Sequence, residues 1–371
     1  MDTLVTFFIF VVVLFMYIHI MSQFKRSEEL EIYETDFTTG AHLNDVCEIK
    51  QPVLFNIKHV TPTLFQDITP QVIARFSSHD IKLKDTRDYY KKDEGAPVSV
   101  DSIYLPLNTT VKLLETDTES HLFSENNNDF LDESGLLKKI QHLDGILKPS
   151  MTLSSHCDLM FGSCNTVTPL RYHTDSRKFL CVTSGKIRVK MTPWKSSKYL
   201  HPYKDFENYE FRSMVHPICP DPEFASDFEK TNFIEFDVNE GYLLYVPAYW
   251  WYSIVYLDDP STFVCSVTYN TFTNHLSNLP DLSMYFLQQQ NITKKVVSNT
   301  TNLTIPTNHD AEEEPIVEDI QIKSGPVEEV CPDDISATVI DETTESDKNT
   351  MNEQDVDTDE KENISYSVSN I

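Results

Sequence analysis

The sequence predicts a mostly β domain of the sandwich or jelly-roll type with flanking helices, preceded by one transmembrane helix and followed by a disordered acidic tail. Three observations predict this: an apolar run from Leu4 to Met21, short alternating strands separated by turn residues through the centre, and a loss of aromatic residues with a gain of acid after about residue 291. The predicted divisions are a transmembrane anchor (1–24), a juxtamembrane linker (25–46), a jelly-roll domain (47–290) and a disordered acidic tail (291–371).

The apolar run is long enough for a membrane-spanning helix. Residues 4–21 are interrupted only by Thr6 and His19, and at about 1.5 Å per residue they cover most of a bilayer core. A cleaved secretory signal is the rival interpretation, but the start of the chain lacks Lys and Arg, and no small-residue cleavage pattern follows the run. We therefore expect a single-pass membrane protein.

Two features bear on the side of the membrane on which the domain lies. Lys25 and Arg26 follow the apolar run directly, which slightly favours a cytosolic domain under the positive-inside rule. Glycosylation sequons would instead suit a lumenal domain. They lie at Asn108, Asn291, Asn299, Asn302 and Asn363. Both orientations therefore stay open.

The net charge of −28 is concentrated near the C-terminal end, where residues 310–362 carry 20 acidic residues against 3 lysines. A balance this acidic argues against binding nucleic acid through its phosphates, which needs clustered Lys and Arg. The tail either recruits a basic partner or only solubilises and spaces the domain.

Strand patterns recur through the predicted domain. In KIRVKM (186–191) the apolar residues share one face and the basic residues share the other, as a half-buried strand requires. Further strand patterns are QPVLFNI (51–57), FIEFDV (233–238), YLLYVP (242–247), WYSIVYL (251–257) and TFVCSVTYNTF (262–272). Helical patterns are confined to the flanks, at 72–76, 136–147 and 282–290.

The candidate chemical site is His173-Thr174-Asp175, which we place at the head of a strand. Residues two apart on a strand point to the same face, so the imidazole and the carboxylate would converge and supply two of the three ligands of a facial iron site. In a chain with 12 His and 58 acidic residues, an isolated H-x-D arises easily by chance. The surrounding sequence therefore decides its meaning.

Several segments occur in a characteristic order around this motif. They are QPVLFNI (51–57), GSCNTVTPLRYHTD (162–175), SGKIRVKMTPW (184–194), HPYKDF (201–206) and NEGYLLYVPAYWW (239–251). Together they resemble the JmjC/cupin-like (cupin-8 type) family of iron(II)- and 2-oxoglutarate-dependent oxygenases over most of residues 47–275. The resemblance implies a double-stranded β-helix (jelly roll) and, in an active member, Fe(II) and 2-oxoglutarate as cofactors.

The sequence departs from the family pattern at two positions of the implied site. The residue after the paired tryptophans, a histidine ligand in the family, is Tyr252 here. A phenol, with an ordinary pKa of about 10, is a poor ligand for ferrous iron. The lysine that anchors 2-oxoglutarate in the family corresponds to Ile187, which removes a charge-assisted bond to the co-substrate. The implied metal site is thus His173 and Asp175, with Tyr252 in place of the family histidine.

Other residues could compensate for these losses. Three cations could supply the missing charge, or could equally be solvated residues on a strand face: Lys178, at the position of a family pocket asparagine, and Lys186 and Arg188, in a shifted register. Thr168 is a further candidate cofactor-binding residue, and His201 or His216 could swing in as a replacement metal ligand.

Two losses in one site favour a membrane-anchored binding or scaffold module with weakened or lost catalysis, which needs no cofactor. Its partners would be the membrane, through residues 4–21, and another protein. Trp194, Trp250 and Trp251 would line the rim of its pocket, or else pack in the core.

Two alternatives remain. One is an active oxygenase that uses His173 and Asp175 to hydroxylate a protein or other substrate. The other is a sugar- or small-molecule-binding cupin without redox chemistry. Whether the chain is an enzyme is therefore left open by the sequence.

Overall fold

The structure is a computed structural model that describes residues 2–93, 96–257 and 262–300. Its helices are α1 (Asp2–Gln23), α2 (Gly40–Glu48), α3 (Pro62–Asp67), α4 (Pro70–Ile73), α5 (Leu107–Thr116), α6 (Asn128–Glu133), α7 (Leu137–Ile140), α8 (Asp144–Leu147), α9 (Ala225–Phe228), α10 (Phe272–Ser277) and α11 (Leu279–Thr300), with 3-10 helices at Ala74–Phe76, Thr86–Tyr90, Gln141–Leu143 and Trp194–Tyr199.

Its strands are β1 (Tyr33–Asp36), β2 (Val53–Asn56), β3 (Asp80–Asp85), β4 (Lys92–Asp93), β5 (Ala96–Pro97), β6 (Ile103–Pro106), β7 (Leu122–Ser124), β8 (Thr152–Gly162), β9 (Arg171–Tyr172), β10 (Arg177–Ser184), β11 (Lys186–Thr192), β12 (Pro202–Asp205), β13 (Glu210–Ser213), β14 (Ile234–Asn239), β15 (Tyr242–Val246), β16 (Trp251–Tyr256) and β17 (Phe263–Thr271).

These strands form two large, mostly antiparallel sheets. The larger sheet has nine strands in the order β1-β2-β15-β10-β17-β8-β7-β3-β6, and the smaller has six in the order β12-β13-β9-β16-β11-β14. Neighbours in each sheet come from distant parts of the sequence, as in a jelly roll. The predicted mostly β jelly-roll fold is confirmed, and the strand patterns predicted in the C-terminal half of the domain correspond to β11 and β14 to β17.

The central strands of the nine-stranded sheet are buried on both faces. Along β10, Phe179 and Cys181 belong to the apolar cluster that includes helices α2, α3 and α5 to α8, whereas Leu180 and Val182 belong to the cluster shared with the six-stranded sheet. Successive strand residues point to opposite faces, so this strand is apolar almost throughout. The space between the two sheets is therefore the interior of the domain.

The folded part of the chain begins earlier than the sequence predicts. Strand β1 pairs in parallel with β2, and α2 begins at Gly40, capped by the Thr39 hydroxyl, which accepts a hydrogen bond from the His42 amide. The segment 25–46 was predicted to be a linker. This is wrong for much of the segment, which forms an edge of the domain. An edge strand needs few apolar side chains, so the polar, acidic composition of this segment was mistaken for that of a linker.

At the C-terminal side, helix α11 continues through Thr300, past the predicted start of the tail at residue 291. The remainder of the predicted acidic tail, residues 301–371, lies outside the described residues.

Helix α1 is long and apolar enough to cross a membrane. Its apolar window lies within Thr3–Gln23, and 0% of that window is buried inside the structure. Burial in a soluble core therefore does not explain its composition.

The turn between β10 and β11 depends on Gly185. Its φ of +74° lies in the left-handed region, and a Cβ at this position would come within 2.8 Å of the Thr262 Cα. Gly145, within α8, has nothing within 4 Å of the place where its Cβ would be.

We expect Gly185→Ala to lower the free energy of unfolding by at least about 1–2 kcal/mol, because it combines left-handed strain with a backbone clash. The matched control Gly145→Ala should be neutral or gain up to about 1 kcal/mol, because alanine favours a helix over glycine. Denaturant unfolding of the full chain in detergent measures both, and equal effects of the two changes would contradict the assigned turn.

Candidate functional site

A polar cavity of about 150 Å³ lies between the two sheets. This is about half of the smallest volume typical of a pocket for a drug-sized ligand. It is lined by Glu125, Asn126, Asp158, Met160, Arg171, Tyr172, His173, Thr174, Asp175, Lys178, Asn208, Tyr209, Glu210, Phe211 and Tyr252. The structure thus brings His173, Asp175, Tyr252 and Lys178 to one place.

The H-x-D segment lies between β9 and β10 and not on a strand, so its predicted place at the head of a strand is wrong. Hydrogen bonds to the rest of the domain, not strand pleating, fix its geometry. The Tyr249 amide donates to the His173 carbonyl at 2.9 Å, and the Asn270 side chain donates to the Asp175 carboxylate at 2.9 Å. The His173 Nδ1 and an Asp175 carboxylate oxygen are 3.5 Å apart.

His173 is held as a neutral imidazole. Its Nε2 lies 3.0 Å from the Val246 carbonyl oxygen, which can only accept, so Nε2 carries the proton. Burial lowers the pKa of His173 to about 4, which keeps the ring neutral near pH 7. Its Nδ1 is buried without a hydrogen-bond partner, so one lone pair faces Asp175 with nothing bound to it.

Tyr252 occupies the position where the family places the third metal ligand. It lies on β16, almost fully buried, with its ring centroid 6.4 Å from that of His173. Lys178, from β10, lines the cavity beside Tyr252, and its Nζ lies 5.9 Å from the centre of the Tyr252 ring. Burial acts to lower the pKa of Lys178, but Tyr252 and Asp175 outweigh it and raise the pKa. A charged ammonium therefore shares the cavity with the H-x-D pair.

On the other side of the cavity, a second set of charged side chains forms ion pairs with one another. The Arg171 guanidinium forms a two-point ion pair with Glu125, at 2.8 and 2.6 Å, and contacts Glu210 at 3.2 Å. Lys84 adds a bond to Glu125 at 3.1 Å. Burial acts to raise the pKa of Glu125, but Arg171 and Lys84 outweigh it and hold the pKa well below its usual range.

The residues of the cavity do not fit a ferrous ion. Within the described ranges, no group of three or more His, Cys, Asp or Glu side chains has an arrangement that could hold a metal. His173 and Asp175 offer two donors at most, and the Nε2 of His173 is engaged with a carbonyl oxygen. The third position holds a phenol with an ammonium beside it, and the ammonium repels a dication.

The candidate co-substrate residues are not in the cavity lining, Lys178 excepted. Ile187 is fully buried on β11, between β14 and β16 and opposite Val238 and Tyr256. Thr168 exchanges hydrogen bonds with the backbone of Ile254 and is a structural residue at this place. Its predicted role in binding a cofactor has no support from its position.

The cations proposed for a shifted register point away from the cavity. Lys186 and Arg188 both pair with Asp237, at 2.6 and 2.7 Å, on the partly exposed face of β11. The histidines proposed as replacement ligands are also elsewhere: His201 contacts Asp227 at 3.1 Å, and His216 accepts from the backbone amides that follow it.

The three tryptophans do not form the rim of the cavity, which corrects the prediction. Trp250 packs between the sheets and donates to the Lys50 carbonyl, and Trp251 is buried and donates to the Ser197 hydroxyl. Trp194 stacks on Trp251 with centroids 6.2 Å apart. Their large apolar rings are used for packing, the alternative that the sequence left open.

The family follows from a comparison with known proteins. The sequence model described as a cupin-like domain matches residues 58–275, more than half of the chain. The chain belongs to the cupin-like domain family. JmjC domain-containing protein D of Dictyostelium discoideum is 24% identical to it over 195 residues, which cover 45% of this chain and 43% of the relative. The chain thus spans less than half of the length of that relative.

Several cavity residues of this cupin-like domain were not predicted. Arg171 stands only two positions before His173, and this nearness in the sequence could have drawn attention to it. Glu125 directly follows β7 and Asp158 lies on β8, and both reach the site only through the order of strands in the large sheet. No local pattern signals them.

We expect Glu125→Gln to lower the free energy of unfolding by about 3–5 kcal/mol, because Arg171 and Lys84 lose their shared carboxylate in a buried place. The control Glu119→Gln, which affects only solvent-accessible contacts with Arg87 at 2.9 Å and His121 at 3.8 Å, should cost less than about 1 kcal/mol.

The same carboxylate predicts a pH dependence. A lowered pKa gives stability that is present above the unfolded-state pKa of about 4.3 and is lost as the pH falls towards the folded-state value. Unfolding of the wild type should therefore become easier below about pH 4.3, and less steeply so in the glutamine variant. Identical pH profiles would contradict the buried ion pair.

Proposed function

We propose that this chain is a membrane-anchored cupin-like protein whose domain binds or scaffolds a partner and has lost Fe(II)- and 2-oxoglutarate-dependent catalysis. One observation carries the proposal: Lys178 lies beside Tyr252 in the cavity, with its Nζ 5.9 Å from the centre of the Tyr252 ring, at the place where the family pattern needs a third metal ligand. The anchor is α1, whose length and exposed apolar surface support a membrane span.

The electrostatics of the cavity support the loss of the metal. At an effective dielectric constant of about 20, two unit charges 4 Å apart repel by about 4 kcal/mol, and a dication doubles this. A ferrous ion beside His173 and Asp175 would meet the Lys178 ammonium without a third anionic or imidazole ligand in compensation. Lys178 lies in the same cavity as Tyr252 and Asp175, which raise its pKa, so it supplies a positive charge beside the H-x-D pair.

The site that would bind 2-oxoglutarate also lacks the charged group that the family pattern requires. The family's lysine position is the buried, apolar Ile187. Arg171 is tied to Glu125 by two hydrogen bonds, so it is not available to a carboxylate of 2-oxoglutarate. A dicarboxylate that entered the cavity would have to break this buried ion pair or compete with Asp175 for Lys178, whose pKa Tyr252 and Asp175 raise.

The partner in this proposal is a protein bound by the surface of the domain or by the acidic tail. The acidic charge balance of the chain makes nucleic acid a poor partner. A cytosolic domain is the orientation that Lys25 and Arg26 favour.

A second candidate function, an active oxygenase, has one observation in its favour. His173 and Asp175 lie 3.5 Å apart in the same cavity, and the Nδ1 of His173 has no hydrogen-bond partner. In that case His173 and Asp175 would hold Fe(II), which would supply oxidation chemistry driven by 2-oxoglutarate.

Anaerobic Fe(II) titration of the full chain in detergent separates the two functions. We expect no stoichiometric binding by the wild type, weak binding by Tyr252→His, and clear binding by Tyr252→His combined with Lys178→Asn, because this pair restores a ligand and removes the ammonium. Tyr33→His, which adds an imidazole at an exposed position on β1, is the control and should bind as little as the wild type. Stoichiometric iron in the wild type would refute the proposal.

Activity and binding give a second test of the same proposal. Wild-type chain supplied with Fe(II) and 2-oxoglutarate should form no succinate above the level of the His173→Ala, Asp175→Ala double variant. Proteins captured by the wild type should also be captured by that variant, because binding does not use the H-x-D pair. Succinate formation that depends on His173 and Asp175 would establish the oxygenase instead.

A further inference from the structure

We propose that helices α10 and α11 form a membrane-contact surface that lies in the interface of the leaflet from which α1 emerges. The domain would then rest on the bilayer with its cavity beside the leaflet, not at the end of a flexible tether. This inference rests on the proposed anchoring through α1 and is independent of the chemistry of the cavity.

The contact between α1 and α10 sets the depth at which the membrane-contact surface would lie in the bilayer. Helix α1 lies against α10. From Thr3 to Gln23, the partly covered residues of α1 fall on one face of its last two turns, and they are Met16, His19, Ile20 and Gln23. If the apolar run ends at Met21, then Met16 lies only about 8 Å inside the hydrocarbon at 1.5 Å per residue. A helix packed beside these turns is at the level of the membrane interface.

The outer faces of α10 and α11 are apolar and exposed. Their exposed large apolar side chains are Phe272, Leu276, Leu279, Met284, Phe286 and Leu287. Phe272 is 50% exposed and Phe286 is 62% exposed. A surface that exposes several large apolar side chains on two consecutive helices marks a protein or membrane interaction site. Its continuity with α1 selects the bilayer, because a helix that spans the membrane brings the lipid to this surface.

The charge of this segment also suits a lipid surface. In a chain of net charge −28, residues 272–300 contain a single acidic residue, Asp281, and two lysines, Lys294 and Lys295. Asp281 is neutralised by Lys204, whose Nζ lies 2.9 Å from its carboxylate. Acidic side chains would be repelled by an anionic leaflet, so their scarcity here favours contact with one.

The segment that follows α1 packs directly against the domain. The Arg26 guanidinium lies over the rings of Trp194, at 4.5 Å, and Tyr249, at 4.0 Å. The Lys195 Nζ donates to the Glu28 carbonyl at 2.9 Å. Cation–π contacts of this kind contribute about 0.5–2 kcal/mol each. These contacts therefore hold the domain directly at the end of α1.

Helix α10 is also attached to the cavity. It begins after Thr271, whose hydroxyl accepts from the Asn274 amide. The side chains of Asn274 and Asn278 both donate to the Thr174 carbonyl, at 2.8 and 2.9 Å, within the H-x-D segment. Tyr285, on α11, packs against Tyr209, which lines the cavity. The membrane-contact surface and the cavity are therefore adjacent.

The test uses the full chain in vesicles of phosphatidylcholine and phosphatidylserine. A background variant carries serine in place of Cys164, Cys219 and Cys331, because the remaining thiols (Cys47, Cys157, Cys181 and Cys265) are buried and have raised pKa values. An environment-sensitive fluorophore is attached to Leu276→Cys or, separately, to Phe286→Cys. The matched control is Ile103→Cys, an exposed apolar residue of β6 at the far edge of the large sheet.

We expect blue-shifted emission at both test positions, together with a loss of fluorescence when the lipids carry a nitroxide quencher near the headgroup, since an interfacial helix lies about 5–10 Å into the boundary. The Ile103→Cys label should stay water-exposed and unquenched. Labels at both test positions that behave like the control would overturn the inference, and so would labels shielded from water but not quenched by lipid, because these indicate a protein partner or a second copy. Extraction of the chain by alkaline carbonate would instead overturn the anchoring itself.

Discussion

The interior of this domain must neutralise its own charges, because the cavity lies between two sheets that exclude water from most of its walls. Arg171, Glu125 and Lys84 do so on one side by direct ion pairing. On the other side Lys178 supplies a positive charge beside Tyr252 and Asp175, which raise its pKa. The family pattern fills that second place with a metal and its histidine. The presence of Tyr252 in place of the family histidine and the inward position of Lys178 are therefore two parts of one change in the charge balance of the cavity.

The sequence was sufficient for the fold and for the centre of the site. Strands such as 186–191 were predictable because alternation reports a half-buried face, and the order of family segments placed His173, Asp175 and Tyr252 in one hollow. The sequence failed where position depends on distant neighbours. Edge strand β1 looked like a linker, and Trp250 and Trp251 looked like rim residues, although the packing of the two sheets buries both rings.

The same dependence on distant neighbours explains why the geometry of the H-x-D segment was mispredicted. Its position comes from α10, through Asn274 and Asn278, and from the backbone of Tyr249. These elements also hold the end of α1, since α10 lies against that helix and Tyr249 lies under Arg26. The elements that shape the cavity are thus the same as those that would face the membrane under the proposed anchoring, which would give a binding domain a fixed presentation at the bilayer.

The central claim is that an ammonium replaces the metal in the cavity. A crystal structure of the full chain after anaerobic exposure to Fe(II), with anomalous scattering measured at the iron edge, tests it most directly. We predict no anomalous peak between His173 and Asp175, and density for Lys178 directed at the Tyr252 hydroxyl. A peak within bonding distance of His173 and Asp175, with Lys178 displaced, would contradict the account.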